Sequence, residues 1–298
     1  MHDFGKNLRK WLLVPRDFET FRRSLLRKLN ILPRGGASQI ISGDTFKKLC
    51  DYVVEGLVDN DFEYFSQFQN LSGRLFVQAE PDSNASKLLI EACAAGLRFP
   101  ELELIIHNGD QVPGEPGMQL LNKSFKSVFS VNWLGGSEIA KPLPIGLENA
   151  AKLRNGVQKD FIREINRGLK PLYQRDIELL VCFSIWTNSA IRTEALNWAR
   201  TLSGATIIDK PITPRAYRKL VLRSKYVLSP PGNGADCHRT WEALYLGAVP
   251  VVLDEYWPFS DYDIPVLSLR NWGEFESRVK HNHLPCSSDW KNVSSWLR

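Results

Sequence analysis

One stretch, residues 225–253 (KYVLSPPGNGADCHRTWEALYLGAVPVVL), limits what this chain can fold into more than any other. The apolar run Tyr226-Val227-Leu228 reads as a buried strand. Ser229-Pro230-Pro231-Gly232-Asn233-Gly234 then breaks the pattern, because two prolines and two glycines continue neither helix nor sheet. Asp236 stands where a side chain can cap a helix running from about His238 to Leu246. Gly247 stops that helix, and Ala248–Leu253 is the next buried strand. Strand, glycine loop, helix and strand make a βαβ unit, which demands parallel strands and so an α/β fold.

The chemistry of such a unit lies beyond the carboxyl ends of its strands. A helix N-terminus there offers unpaired N–H groups and a positive dipole end to an anion. His238 and Arg239 fall in the first turn, and arginine can grip a phosphate with two parallel hydrogen bonds. Glu242 is one turn beyond His238 on the same face, and a carboxylate suits the paired hydroxyls of a ribose. Gly232, Asn233, Gly234 and Asp236 complete the loop. Together these residues describe a pocket for a nucleoside diphosphate. An isolated Gly-x-Gly would be read as a plain turn; here it is followed by a basic pair, a carboxylate and a Gly-x-x-Pro-Val-Val run.

Residues 230–252, PPGNGADCHRTWEALYLGAVPVV, resemble the donor-binding segment of exostosin-like glycosyltransferases. They are more loosely similar to the Glu-Ala…Gly…Pro-Val-Val segment of GT-B glycosyltransferases. The resemblance implies an α/β, GT-B-like fold of two Rossmann-like domains whose parallel sheets face an interdomain cleft. It implies that the second domain binds a nucleotide-sugar as substrate, with a UDP-sugar the expected donor and no cofactor. Arg239 would then contact the diphosphate and Glu242 the ribose. Many retaining relatives carry a second Glu eight residues before the ribose Glu. That position is Gly234 here, with Asn233 beside it, which argues against a retaining reaction of that type and for an inverting one.

Net charge is confined to one place. Residues 1–36 hold nine Lys/Arg and three acids, a charge of +6, so the remaining chain carries −1 of the total +5. A body without a basic surface argues against nucleic acid as partner. The arm also carries Phe18, Phe21, Leu25 and Leu29 at helical spacing among its basic residues. Such an amphipathic helix can lie on an anionic membrane surface or pack on the protein's own body. Five scattered cysteines without a Cys-x-x-Cys pair argue against structural zinc and fit reduced thiols in a cytoplasmic setting. No apolar run reaches the ~20 residues needed to cross a bilayer.

The expected layout is an arm (1–38), an N-terminal acceptor domain (39–155) and a C-terminal donor domain (156–298). In the first half, a helix is expected from Ser42 or Asp44 as cap to about Glu55, followed by strands at 74–78, 102–106 and 127–131. Polar residues at those strand ends face the ligand edge of a sheet. Glu80, Asp110 and Glu148 are therefore candidate bases, and Asn132, Trp133 and Asn149 candidate acceptor contacts. In the second half a strand at 177–183 opens into Ser184-Ile185-Trp186-Thr187-Asn188, and a helix with Arg192 follows. In GT-B enzymes this loop commonly reaches the donor phosphates, which makes Ser184, Thr187, Asn188 and Arg192 candidates. Strands at 205–209 and 266–269, a helix capped by Thr213 and a closing helical tail complete the chain.

Glycosyl transfer must stabilise charge growing on the leaving phosphate, and preorganised donors supply that without metal. Asp59-Asn60-Asp61 and Asp261-Tyr262-Asp263 match Asp-x-Asp only formally, and no metal site is read from them. The expected function is therefore transfer of a sugar from a nucleoside diphosphate to a glycan or lipid-linked acceptor, in the cytoplasm or at the inner face of a membrane. Two other readings stay open: a nucleotide-sugar epimerase of GT-B fold, and a non-catalytic protein that binds a nucleotide-sugar or an anionic glycan.

Overall fold

The structure, a computed structural model, describes residues 40–58, 62–150, 158–281, 291–292 and 296–297. The amphipathic arm, the Asp59–Asp61 triplet, Cys286 and most of the tail lie outside the described residues.

The chain is a mixed α/β structure with two parallel five-stranded sheets, the architecture of Rossmann-like two-domain folds. The first half contains α1 (Gly43–Lys48), β1 (Tyr52–Val54), a 3₁₀ segment (Phe62–Phe68) and β2 (Gly73–Gln78). It continues with α2 (Ala85–Ala94), β3 (Phe99–His107), α3 (Glu115–Ser124), β4 (Phe125–Val131) and β5 (Lys141–Leu143). The second half has α4 (Gln158–Asn166), β6 (Ile177–Val181), α5 (Ser189–Ala199), β7 (Ala205–Ile207) and α6 (Pro214–Val221). It ends with β8 (Ser224–Leu228), α7 (His238–Tyr245), β9 (Val249–Leu253), β10 (Leu267–Leu269) and α8 (Phe275–His281).

The start of the first half differs from expectation. Of the two expected caps Ser42 serves α1, accepting the Thr45 N–H at 3.3 Å, but the helix ends at Lys48 rather than about Glu55. Asp44 instead accepts the Ala150 N–H at 3.0 Å through Oδ2. Tyr52-Val53-Val54, an aromatic followed by two β-branched residues, pair with β2 as an edge strand. Thr213 caps α6 as expected, accepting the Ala216 N–H at 3.2 Å.

The two sheets are wound differently. In the first, strand order follows chain order, β1-β2-β3-β4-β5. Right-handed crossovers that always step to the next neighbour leave their helices on one face. Accordingly Leu75, Val77, Leu104 and Ile106 pack with Phe65, Leu89 and Met118 from the crossovers. The alternate residues Phe76, Ile105 and Phe129 are in register across β2, β3 and β4 and face the other way. They join a different cluster, with Ile41 and Phe46 on one side and Trp241, Leu244 and Tyr245 of α7 on the other. One apolar core thus runs from the first sheet to the second.

The second sheet has the order β7-β6-β8-β9-β10. After β7 the chain returns across β6 to lay down β8, so the winding reverses. Helices then cover both faces. Ala195, Ala199 and Phe275 pack on one, and Val221, Trp241 and Leu244 on the other. The reversal opens a crevice at the carboxyl ends of β6 and β8, where ligands of such sheets bind.

Candidate functional site

A cavity of about 870 Å³ occupies that crevice, and the loops after β6, β7 and β8 with the first turn of α7 line it. It also takes Asp110 and Ile145 from the first half.

Two arginines organise it. Arg192, 5 % exposed, donates from Nε to the Pro231 carbonyl at 2.8 Å and from Nη1 to the Ser184 carbonyl at 2.7 Å. It therefore rivets the loop after β6 to the loop after β8. Gly232 must be small here, since a Cβ would stand 2.9 Å from Arg192 Nη2. Half-buried Arg239 donates from Nε to the Cys182 carbonyl at 3.0 Å. Among the described residues no carboxylate lies within ion-pairing distance of either guanidinium. Burial, and then the charge of Arg239, pull Arg192 down to about 10. Positive charge this enclosed and unpaired calls for an anion.

The N-terminus of α7 adds to this field. Cys237, not Asp236, is its N-cap, and its side chain makes no capping bond; the Thr240 N–H turns back to the Cys237 carbonyl at 3.0 Å, which leaves the amides of His238 and Arg239 uncapped beside the cavity. The Asp236 carboxylate has turned inward. Its Oδ2 accepts the Trp241 Nε1–H at 2.7 Å and the Ile145 N–H at 2.8 Å, while Oδ1 is buried without a partner among the described residues. Burial outweighs those bonds and pushes Asp236 up to about 7. Asp236 is thus a tie between the halves rather than a helix cap.

Glu242 is 5 % exposed and lines the cavity, and no described residue donates a hydrogen bond to its carboxylate. Burial raises it to about 7 against the pull of Arg239. Tyr217 of α6 also lines the cavity, with a buried hydroxyl that has no hydrogen-bond partner among the described residues. Burial and the charge of Glu242 raise its pKa. His238 holds the Gly146 carbonyl at 2.7 Å through Nδ1. A carbonyl accepts only, so Nδ1 carries the proton of the neutral ring.

Of the residues singled out in the sequence, Asp110, Ser184, Thr187, Arg192 and Gly232 line the cavity, as do Asn233, Gly234, Asp236, His238, Arg239 and Glu242. Asn188 stands behind the wall and donates to the Gly232 carbonyl at 3.2 Å. The candidate acceptor contacts serve the framework instead. Asn132 accepts the Asp236 N–H at 3.0 Å and donates to the Asp110 carbonyl at 3.3 Å. Trp133 is buried against the first sheet, its indole N–H on the Gly136 carbonyl at 3.1 Å. Asn149 joins Asn108 to the Asp44 amide, with both bonds at 2.8 Å. Among the candidate bases, Glu80 and Glu148 do not line the cavity. The Glu80 carbonyl accepts the Gln111 N–H at 3.1 Å, and Glu148 is buried near enough to Glu242 to raise its pKa. Asp110 does line it, holding Asn233 Nδ2 at 3.0 Å through Oδ2.

Sequence reading missed Phe183, whose ring lies under both arginines, and Tyr217, which was read only as part of a helix. It also missed the segment after β7, Ile208–Pro214, which walls the far side of the cavity. The signal was the strand order: β7 neighbours β6, so its loop must open on the same edge. A second hollow of about 460 Å³ lies between α4 and α6. Three of its cations, Arg163, Arg167 and Arg218, pair with Asp160 and Glu164, and Arg215 and Lys219 line it as well. No protein-family model matches the chain, and a comparison with curated proteins gives no match.

Proposed function

We propose that this protein binds a nucleoside diphosphate in the crevice of the second sheet and is a GT-B-like glycosyltransferase that uses a nucleotide-sugar, UDP-linked first among the candidates. The observation that carries the reading is the pair Arg192 and Arg239. Two enclosed guanidinium groups without a carboxylate partner meet an uncapped helix N-terminus at the one point where the winding reverses. A diphosphate satisfies all three at once. Glu242 would accept the ribose hydroxyls, and the resemblance of residues 230–252 to exostosin-like transferases supplies the sugar.

In the inverting reaction the acceptor hydroxyl oxygen bonds to the anomeric carbon as the bond from that carbon to the phosphate oxygen breaks. The electron pair leaves with the diphosphate, where the arginines and the helix amides meet it. The hydroxyl proton goes to a carboxylate, and of the three candidates Asp110 has the position for it, since it lines the cavity. Arg192 and Arg239 supply the charge a bound metal ion would otherwise bring to the phosphates.

Thermal melting with UDP, GDP, CMP and ADP and their sugar conjugates tests the reading. A ligand that binds only the native state raises the midpoint. The expected result is a shift with one nucleoside diphosphate that Arg239→Ala abolishes. Folded protein that responds to none of them would overturn the pocket. Nucleotide release that requires a glycan or lipid-linked acceptor marks a transferase, and a shift without any release marks a binding protein.

A further inference from the structure

We propose that Trp186, with Ile212 on the neighbouring loop, forms the seat for the planar base of the nucleotide, and so selects an aromatic nucleoside rather than any diphosphate. This rests on the nucleoside-diphosphate reading of the arginine end. Trp186 is 87 % exposed, which is unusual for the largest apolar side chain. It sits in the loop after β6 and lines the same cavity as Arg192 and Arg239. Ile212, 36 % exposed, lines it from the loop after β7. Pro211, Ile185 and Leu196 extend this apolar wall.

The cavity is thus bipolar. Its phosphate end is the loop after β8 with Arg239, and its other end is the loop after β7, where Ile208, Pro211 and Ile212 make an apolar wall edged by Asp209, Lys210 and Arg200. β8 and β7 flank β6, so the two ends stand two strand spacings apart, roughly 10 Å. Glu242 and Tyr217 line the cavity as well and offer polar groups for a ribose between the two ends. A nucleoside diphosphate has the same order of parts: charge, hydroxyls, flat ring. Exposed Asp209 and Lys210 in the β7 loop provide an acceptor and donors for the ring's edge. An exposed indole is a stacking surface that every base can use, whereas inorganic pyrophosphate cannot.

Titration calorimetry with pyrophosphate, UDP, GDP and ADP on wild type, Trp186→Ala, Trp186→Phe and Arg239→Ala tests this. Trp186→Ala should weaken the preferred nucleoside diphosphate about tenfold and leave pyrophosphate unchanged. Trp186→Phe should recover most of the loss, and Arg239→Ala should weaken every ligand. Melting curves are expected to match wild type for the Trp186 variants, because the side chain is exposed. The base seat is overturned if pyrophosphate binds as tightly as the nucleotides, or if Trp186→Ala affects both ligand types alike. If pyrophosphate and all three nucleotides fail to bind folded wild type, the diphosphate site itself falls, and this inference with it.

Discussion

Arg192 and Arg239 share one aromatic ring: their guanidinium carbons lie 5.8 and 5.4 Å from the centre of Phe183. The ring's π face attracts both cations, which offsets part of their mutual repulsion while the site is empty. It also fixes where the charge sits before any anion arrives.

The two arginines are expected to separate experimentally. Arg239→Ala should lower affinity for a nucleoside diphosphate by about 10- to 100-fold, the scale of a lost charge-assisted hydrogen bond, with a smaller loss of stability than Arg192→Ala, because it leaves one carbonyl, that of Cys182, without its donor. Arg192→Ala should lose affinity and stability together, because it also leaves the Ser184 and Pro231 carbonyls without their donor. Calorimetric titration and thermal melting on the same samples check this.

Asp236 should make stability depend on pH. Its folded pKa of about 7 is above the ordinary 3.8, so the native protein holds a proton that the unfolded chain has released. This contribution is full at about pH 4 and below and is lost as pH rises to 7. Asp236→Asn keeps an oxygen for Trp241 and Ile145 but cannot ionise. Denaturant melts should show a shallower decline from pH 4 to 7 in this variant than in wild type. Part of the decline should remain, because Glu242 is raised in the same direction. Asp236→Ala loses both bonds and should cost about 2–4 kcal/mol.

Glu242 should make ligand binding depend on pH. On the proposed reading the ionised carboxylate would accept two ribose hydroxyls, and the protonated one would accept less well. The advantage of UDP over 2′,3′-dideoxy-UDP is expected to grow as pH rises through about 7. In Glu242→Gln that advantage should be small and flat with pH. Comparing the two nucleotides removes the titration of the phosphates themselves.

Gly234→Ala should disturb the link between the halves. A Cβ there would stand 2.3 Å from Asn132 Nδ2, the residue that accepts the Asp236 N–H. A stability loss of about 1–3 kcal/mol is expected, the range for a buried group deprived of its partner. Combining it with Asn132→Gly, which removes the side chain in the way and suits the positive φ of 55° at that position, should make the Gly234 change milder. A double-mutant cycle in denaturant measures this.

The lining of the crevice in the second sheet was legible in the sequence because its signals are local. A Pro-Pro-Gly-Asn-Gly break, an arginine one residue into a helix and a carboxylate one turn later all lie within one βαβ unit. Arg192 was legible too, as a cation in the helix after a strand-end loop. The framework bonds of Asn132 and Asn149 in the first half were not legible, because they are set over long range. Asn132 bonds to a residue 104 positions away, and Asn149 to one 105 away. No spacing rule reports such pairs. Strand β1 was missed because Tyr52-Val53-Val54 follow a helix so closely that they read as its continuation.

A clamshell needs a seam to open along, and the first sheet removes it. Winding in one direction leaves the face of Phe76, Ile105 and Phe129 without crossover helices, and the short helix α1 brings only Phe46 and Lys47 to it. What seals that face is a cluster that reaches Trp241 and Tyr245, on the helix that carries Arg239 and Glu242. Swinging the halves apart would bare that face to water and tear the Asp236 tie. A ligand would then enter over the rim formed by the loops that carry Trp186 and Ile212, into a socket whose walls are already joined.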